Sequence, residues 1–224
     1  MCKFIFLRIL TFVRFDGDVF MKIGKGMSTR TITGTAILLA LVIVLQAFGG
    51  SIAIGAVQLN FTLIPIVLGA VLFGPMAGLF LGFACGVVVL IQVIMGLAPF
   101  YVVIWTYNPV VTVFTCIVKT SVAGFVAGLL YQWLAKKNSL MAVFVSAGVV
   151  PVLNTGLFIV GCLCMSGSIQ IFQSSIAATG MNVFVFIVVG LVTFNFFVEL
   201  AVNLLVAPAL HRVIGVVEKQ FKRK

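Results

Sequence analysis

Two residues carry formal charge where the surrounding sequence is apolar: Lys119 in FTCIVKTSV (114–122) and Glu199 in FNFFVEL (194–200). A lysine at the centre of a bilayer costs roughly 2.5–3.5 kcal/mol on insertion scales, so an ammonium kept there needs a partner. Thr112, Cys116, Lys119 and Ala123 follow one another at steps of four, three and four, which puts them on one helical face. Asn195, Glu199 and Asn203 make a second polar stripe with steps of four. Asn154 and Thr155 come just after Pro151, whose missing N–H frees a carbonyl one turn back for polar groups or water. These residues leave three readings open. Lys119 and Glu199 form a buried ion pair in which each makes the other tolerable. Or Lys119 offers its ammonium to an anionic group of a ligand, with the asparagines adding directional hydrogen bonds. Or the pair serves an ion or proton pathway.

Bond-making chemistry has no support. The single histidine, His211, lies beyond the last apolar segment, and one buried acid makes no carboxylate pair. The sequence has no G-x-S-x-G, no H-E-x-x-H and no phosphate-binding loop. The expectation is a chain that is not an enzyme, with no cofactor or metal of its own. The five cysteines lack metal-ligand spacing and read as small apolar helix residues.

The elements that hold these residues follow from composition. Of 224 residues 63% are hydrophobic and 8% charged, with a mean hydropathy of +1.34. Soluble domains carry about 25% charged residues, so the chain is an all-α polytopic membrane protein. Six apolar segments approach the roughly 20 residues that cross a bilayer: 32–49, 60–74, 76–97, 109–134, 140–165 and 181–209. The second is short and holds Pro65, so it is expected to be kinked or incomplete. Lys119 lies ten residues from the outer start of its helix, roughly 15 Å deep at 1.5 Å per residue.

Apart from Lys119, the fourteen lysines and arginines fall before the first segment, at Lys136 and Lys137, or after 209. With six spans these places share one side, which the positive-inside rule makes cytoplasmic, so both termini are expected inside. Basic residues arranged in this way mark topology and give no nucleic-acid footprint. The outer connectors 50–59, 98–108 and 166–180 hold no Lys or Arg. They are either easily translocated or able to close over a ligand. Residues 1–26 are too short and too charged to span, and read as a basic interfacial segment or an extension ahead of a start at Met27. The expected layout is a basic segment 1–30, a six-helix substrate-binding domain 31–212 and a basic cytoplasmic tail 213–224.

Small residues predict which helix faces meet, because lipid supplies no hydrophobic drive for association. Gly74, Gly78, Gly82 and Gly86 form a ridge on the third segment, and Thr120, Gly124 and Gly128 repeat the device on the fourth. Asn108 before Pro109 reads as the cap that starts the fourth helix. Ala36 and Ala40 make an A-x-x-x-A on the first, for packing within the chain or against another membrane protein.

Three runs are more specific: LNFTLIPIVLGAVLFGPMAGLFLGFACG (59–86), VKTSVAGFVAGLLYQWLAKKN (118–138) and VVPVLNTGLFIVG (149–161). With six spans, cytoplasmic ends and the early A-x-x-x-A, residues 30–212 resemble the S components of energy-coupling factor (ECF) vitamin transporters. The resemblance implies the binding subunit of an ABC-type importer in the bacterial cell membrane. Such a subunit captures a vitamin outside and topples to release it inside. Its implied partners are a transmembrane T component and two cytoplasmic ATPases that use the ATP. Ala36 and Ala40 would then dock the T component. The ligand site would draw on Gln58, Asn60, Asn108, Lys119, Asn154, Thr155, Asn195 and Glu199. A lone lysine suits one carboxylate, as in pantothenate, whereas a riboflavin-like ligand would lean on Tyr101, Trp105 and Tyr107. The rival class is a stand-alone secondary transporter using Lys119 and Glu199 for ion or proton coupling; no inverted repeat favours it.

Overall fold

The computed structural model describes residues 29–49, 53–54, 57–58, 60–175 and 182–222, and the expectations for residues 1–26 lie outside them. The described chain is helical apart from short connectors and a hairpin of two two-residue strands. Its elements are α1 (Thr29–Gly49), β1 (Ala53–Ile54), β2 (Val57–Gln58), α2 (Leu63–Phe73), α3 (Pro75–Ile94), α4 (Pro99–Tyr107) and α5 (Pro109–Leu134). There follow α6 (Ser139–Cys164), α7 (Ser166–Ser175), α8 (Val183–Val185), a π-helical segment (Phe186–Val192) and α9 (Thr193–Lys222). Residues 1–34 and 35–224 are separate compact units. In the first, the start of α1 is described, where the Thr33 hydroxyl donates to the Thr29 carbonyl at 2.9 Å.

Five helical stretches are long and apolar enough to cross a membrane: Thr31–Phe48, Pro75–Ile94, Pro109–Leu134, Ser139–Cys164 and Val183–Val217. The second expected span is incomplete. Only Leu63–Phe73 is helical, 11 residues that make about 16 Å at 1.5 Å each. It stops at Gly74, whose φ of 97° is a conformation that glycine adopts without strain. Pro75 then opens α3, so one residue joins α2 to α3. Prolines also occupy the first turns of α4 and α5, where their missing N–H costs no hydrogen bond.

Two further elements depart from simple spans and connectors. The connectors without Lys or Arg are structured where they are described: 98–108 holds α4, 166–180 holds α7, and 50–59 holds the hairpin. Apolar residues explain this, since Phe100 and Ile104 of α4 and Ile169 of α7 are all buried. The last span contains the π segment, and its helix runs on through residues 213–222.

The glycine ridge works as its spacing predicts. A Cβ on Gly78 would meet the Gly124 carbonyl, and one on Gly82 would meet the Thr120 carbonyl. One on Gly86 would lie 2.6 Å from the Ile117 Cα. The matched positions run in opposite directions, so α3 and α5 pack antiparallel, backbone to backbone. The Thr120 hydroxyl donates to the Gly82 carbonyl at 2.7 Å and pins the register. Beyond this pair α6 packs on α5 and α9 on α6, while α2 touches α3, α5, α6 and α9.

Asn108 caps α5 as expected, its Oδ1 accepting from the Val111 N–H at 3.2 Å. Asn108→Ala removes that acceptor and is expected to cost about 1 kcal/mol. A lower melting temperature of the purified protein, with native helicity by circular dichroism, is the readout. An unchanged temperature would mean that Pro109 alone fixes the start.

Candidate functional site

Polar residues of α5, α6 and α9 meet at one cavity, although Thr112, Cys116 and Asn203 of the same stripes do not line it. Its polar wall is Asn60, Lys119, Asn154, Thr155, Asn195 and Glu199, and its apolar wall is Tyr101, Phe158, Val192 and Phe196. The volume is about 40 Å³. That is room for about three waters and little beside ligand pockets of roughly 300–1,000 Å³. The walls must part for anything vitamin-sized to enter.

Each functional group reaches the cavity for a local reason. Lys119 sits on the buried face of α5 with Thr112, Cys116 and Ala123, and is 7% exposed. Its Nζ donates to the Tyr101 hydroxyl at 2.8 Å and lies 5.3 Å from the ring centroids of both Tyr101 and Phe158. The rings of Phe100, Tyr101 and Phe158 pack against one another with centroids 5.5–5.9 Å apart. An ammonium facing the Phe158 ring is attracted by its quadrupole, whereas toward Tyr101 it sits off the hydroxyl edge and is held by the hydrogen bond. Glu199, 8% exposed on α9, accepts from the Asn60 backbone N–H at 2.9 Å.

Lys119 and Glu199 face the same cavity but make no ion pair among the described residues. The buried-pair reading is therefore not what the geometry shows; each charge has a neutral partner instead. An ammonium has three donors, and Tyr101 takes one. Asn154 Oδ1 and both polar side-chain atoms of Asn195 are buried without a hydrogen-bond partner. Buried polar atoms are nearly always satisfied, so these amides mark the cavity as a place where polar groups are expected.

Asn108 is occupied as the α5 cap and is not on the cavity wall. Gln58 is placed by its backbone alone, opposite Ala53 in the hairpin. Ala36 and Ala40 lie on the exposed side of α1 with Ile37, Leu41, Val44 and Phe48, while Leu38, Val42 and Gln46 face inward. Trp105 is half-buried and Tyr107 is exposed, and neither lines the cavity.

Behind the Asn60 edge runs a buried polar chain. The Thr62 hydroxyl contacts Asn60 Oδ1 and lies 3.4 Å from Gln46 Oε1 and 3.1 Å from Cys85 Sγ. Gln46 and Gln92 clamp α1 to α3, with Gln46 Nε2 donating to Gln92 Oε1 at 3.0 Å and Gln92 Nε2 to the Gln46 carbonyl at 2.9 Å. Neither glutamine was picked out in the sequence reading, although polar residues inside apolar spans are the signal that found the asparagines. Val192 and Phe196 were missed as well; one belongs to the π segment and the other looks like lipid-facing phenylalanine.

Residues 30–211 match the family described as "ECF transporter, substrate-specific component". The chain belongs to this family. No curated protein matches it. As an ECF substrate-specific component it is a multi-pass membrane protein and a substrate-binding transporter subunit. The convergence of its intramembrane polar residues on one cavity is the arrangement such a subunit needs.

Proposed function

We propose that this ECF S component captures a vitamin or related micronutrient bearing a carboxylate, pantothenate-like in its charge. Capture takes place on the outer side of the bacterial cytoplasmic membrane, with both termini of the chain inside. The observation that carries the reading is Lys119: a buried ammonium on a cavity wall, held by the Tyr101 hydroxyl and the Phe158 ring, beside amides with unused hydrogen-bonding capacity. An anionic group would complete that set. Release inward would require the T component and two ATPases, which supply the ATP-driven step. The exposed face of α1 around Ala36 and Ala40 offers close approach to the T component, because alanines let a partner helix come near.

The test is mass spectrometry of small molecules co-purifying with the detergent-solubilised chain, with a thermal-stabilisation panel of pantothenate, biotin, nicotinate, folate and riboflavin. A compound at 100 times its dissociation constant adds about 2.7 kcal/mol to stability, an upward shift of several degrees. Failure of every vitamin at micromolar concentration, with nothing co-purifying, would overturn the reading. Gradient-driven flux by the chain alone in liposomes, abolished by Glu199→Gln, would support the stand-alone transporter instead.

A further inference from the structure

The cavity holds one positive and one negative side chain, each with a direct hydrogen-bond partner other than the opposite charge. Lys119 is satisfied in part by the Tyr101 hydroxyl, and Glu199 in part by the Asn60 N–H. No ion pair joins them among the described residues, and both are more than nine-tenths buried. On the same cavity, Asn154 of α6 and Asn195 of α9 carry unpartnered amide atoms.

Charge balance then constrains the occupant. A ligand with a single negative group and nothing else would satisfy Lys119 but leave the Glu199 carboxylate facing added negative charge. In a low-dielectric site that repulsion is strong. A ligand that also presents hydrogens on nitrogen or a cationic centre satisfies both poles at once. The amides of Asn154 and Asn195, which donate and accept, are matched to polar groups between the two ends. Phe158 and Phe196 offer apolar surface for the body of the molecule.

We propose that the ligand is bipolar, with an anionic group at Lys119 and a hydrogen-bond-donating or protonated nitrogen at Glu199, joined by a compact apolar or aromatic body. This rests on the binding-subunit reading and narrows its substrate class. It makes Glu199 a specificity residue: the carboxylate selects, among carboxylate ligands, those with a donor at the opposite end.

The experiment measures binding to the full chain in detergent by calorimetry, using probes matched in pairs. Biotin, with ureido N–H groups opposite its carboxylate, is paired with lipoate, which lacks them. Indole-3-propionate, with its ring N–H away from the carboxylate, is paired with 3-(1-naphthyl)propionate, which has none. Pantothenate and nicotinate extend the set, and any co-purifying molecule identified by mass spectrometry is added to it. The expected result is that the best binder carries both poles and binds at least tenfold more tightly than its donor-free counterpart. Glu199→Gln is expected to erase most of that difference, while the unliganded melting temperature stays within a few degrees of wild type. A donor-free anion binding as tightly as the best donor-bearing probe would overturn the proposal, as would an affinity unchanged within threefold in Glu199→Gln. Uptake of about one proton on binding a purely anionic probe, read from buffers of different ionisation enthalpy, would also overturn it, because Glu199 would then be neutralised by protonation. If no probe binds and nothing co-purifies, the binding-subunit reading itself fails.

Discussion

Lys119→Met is expected to weaken binding of a carboxylate ligand such as pantothenate by about thirtyfold or more while leaving the fold in place. Truncating one partner of a buried charged contact costs at least about 2 kcal/mol, and each 1.4 kcal/mol is tenfold in affinity. Methionine fills similar length without charge, so the α5 face keeps its packing. The local loss is the donor to the Tyr101 hydroxyl; Lys119→Met with Tyr101→Phe removes the orphaned group and serves as the check on stability. Because Glu199 has its own partner in the Asn60 N–H, adding Glu199→Leu is not expected to rescue anything. Calorimetric affinity with size-exclusion profiles decides it. Binding unchanged within threefold would remove Lys119 from the site, and misfolding rescued by Glu199→Leu would restore the ion-pair reading.

The largest structural effect is expected at Gly82. Any side chain there drives into the Thr120 carbonyl, and the α5 backbone cannot yield without losing the Thr120-to-Gly82 hydrogen bond. Overpacking of a filled contact typically costs 1–3 kcal/mol and occasionally more. Here the obstacle is main chain on both sides, so Gly82→Leu is expected to lie at or above about 3 kcal/mol. The readout is loss of monodisperse protein after detergent extraction. Gly156→Ala is the control: its Cβ would meet nothing within 4 Å, so yield and melting temperature should hold or rise slightly. Normal behaviour of Gly82→Leu would mean that α3 and α5 are not in direct backbone contact.

How much of this was legible in the sequence depended on the range of the physics involved. The α3–α5 contact was readable because a ridge of glycines four residues apart is a local pattern with one common use in a bilayer. The α5 cap was readable for the same reason: Asn108 and Pro109 act within one turn. Most of the cavity's polar residues were found because a polar side chain in an apolar span has few places to go. Tyr101 was noted only as a stacking aromatic. Its role as the partner of Lys119 arises from the folding of α4 back over the bundle, which no local spacing encodes. The ion pair looked attractive because charge was counted without direction, and the chain gives Lys119 a hydroxyl and Glu199 a backbone amide. The π segment follows no composition rule, yet π turns cluster at functional sites, and Val192 brings this one to the cavity wall.

The brevity of α2 has a consequence for the route a ligand takes. From the Gly74 turn, α3 climbs 20 residues, about 30 Å, enough for the hydrocarbon thickness, whereas α2 climbs only about 16 Å alongside it. Asn60 and Thr62, just ahead of α2, are therefore at half depth, close to the level reckoned for Lys119. Ahead of them the described strands Ala53–Ile54 and Val57–Gln58 stand in the sequence where a sixth helix would have its upper half, and irregular backbone at that depth is tolerated only where it lines protein or water. With both termini inside, as proposed, this end of the cavity would face the outside. Beyond Asn60 most of α2 is packed inside the bundle, with Leu63, Ile66, Val67, Ala70 and Val71 buried. On the proposed orientation a molecule entering the cavity would meet packed α2 below Asn60, so the release step proposed for the T component and ATPases would have to displace these walls and not simply open a channel through them.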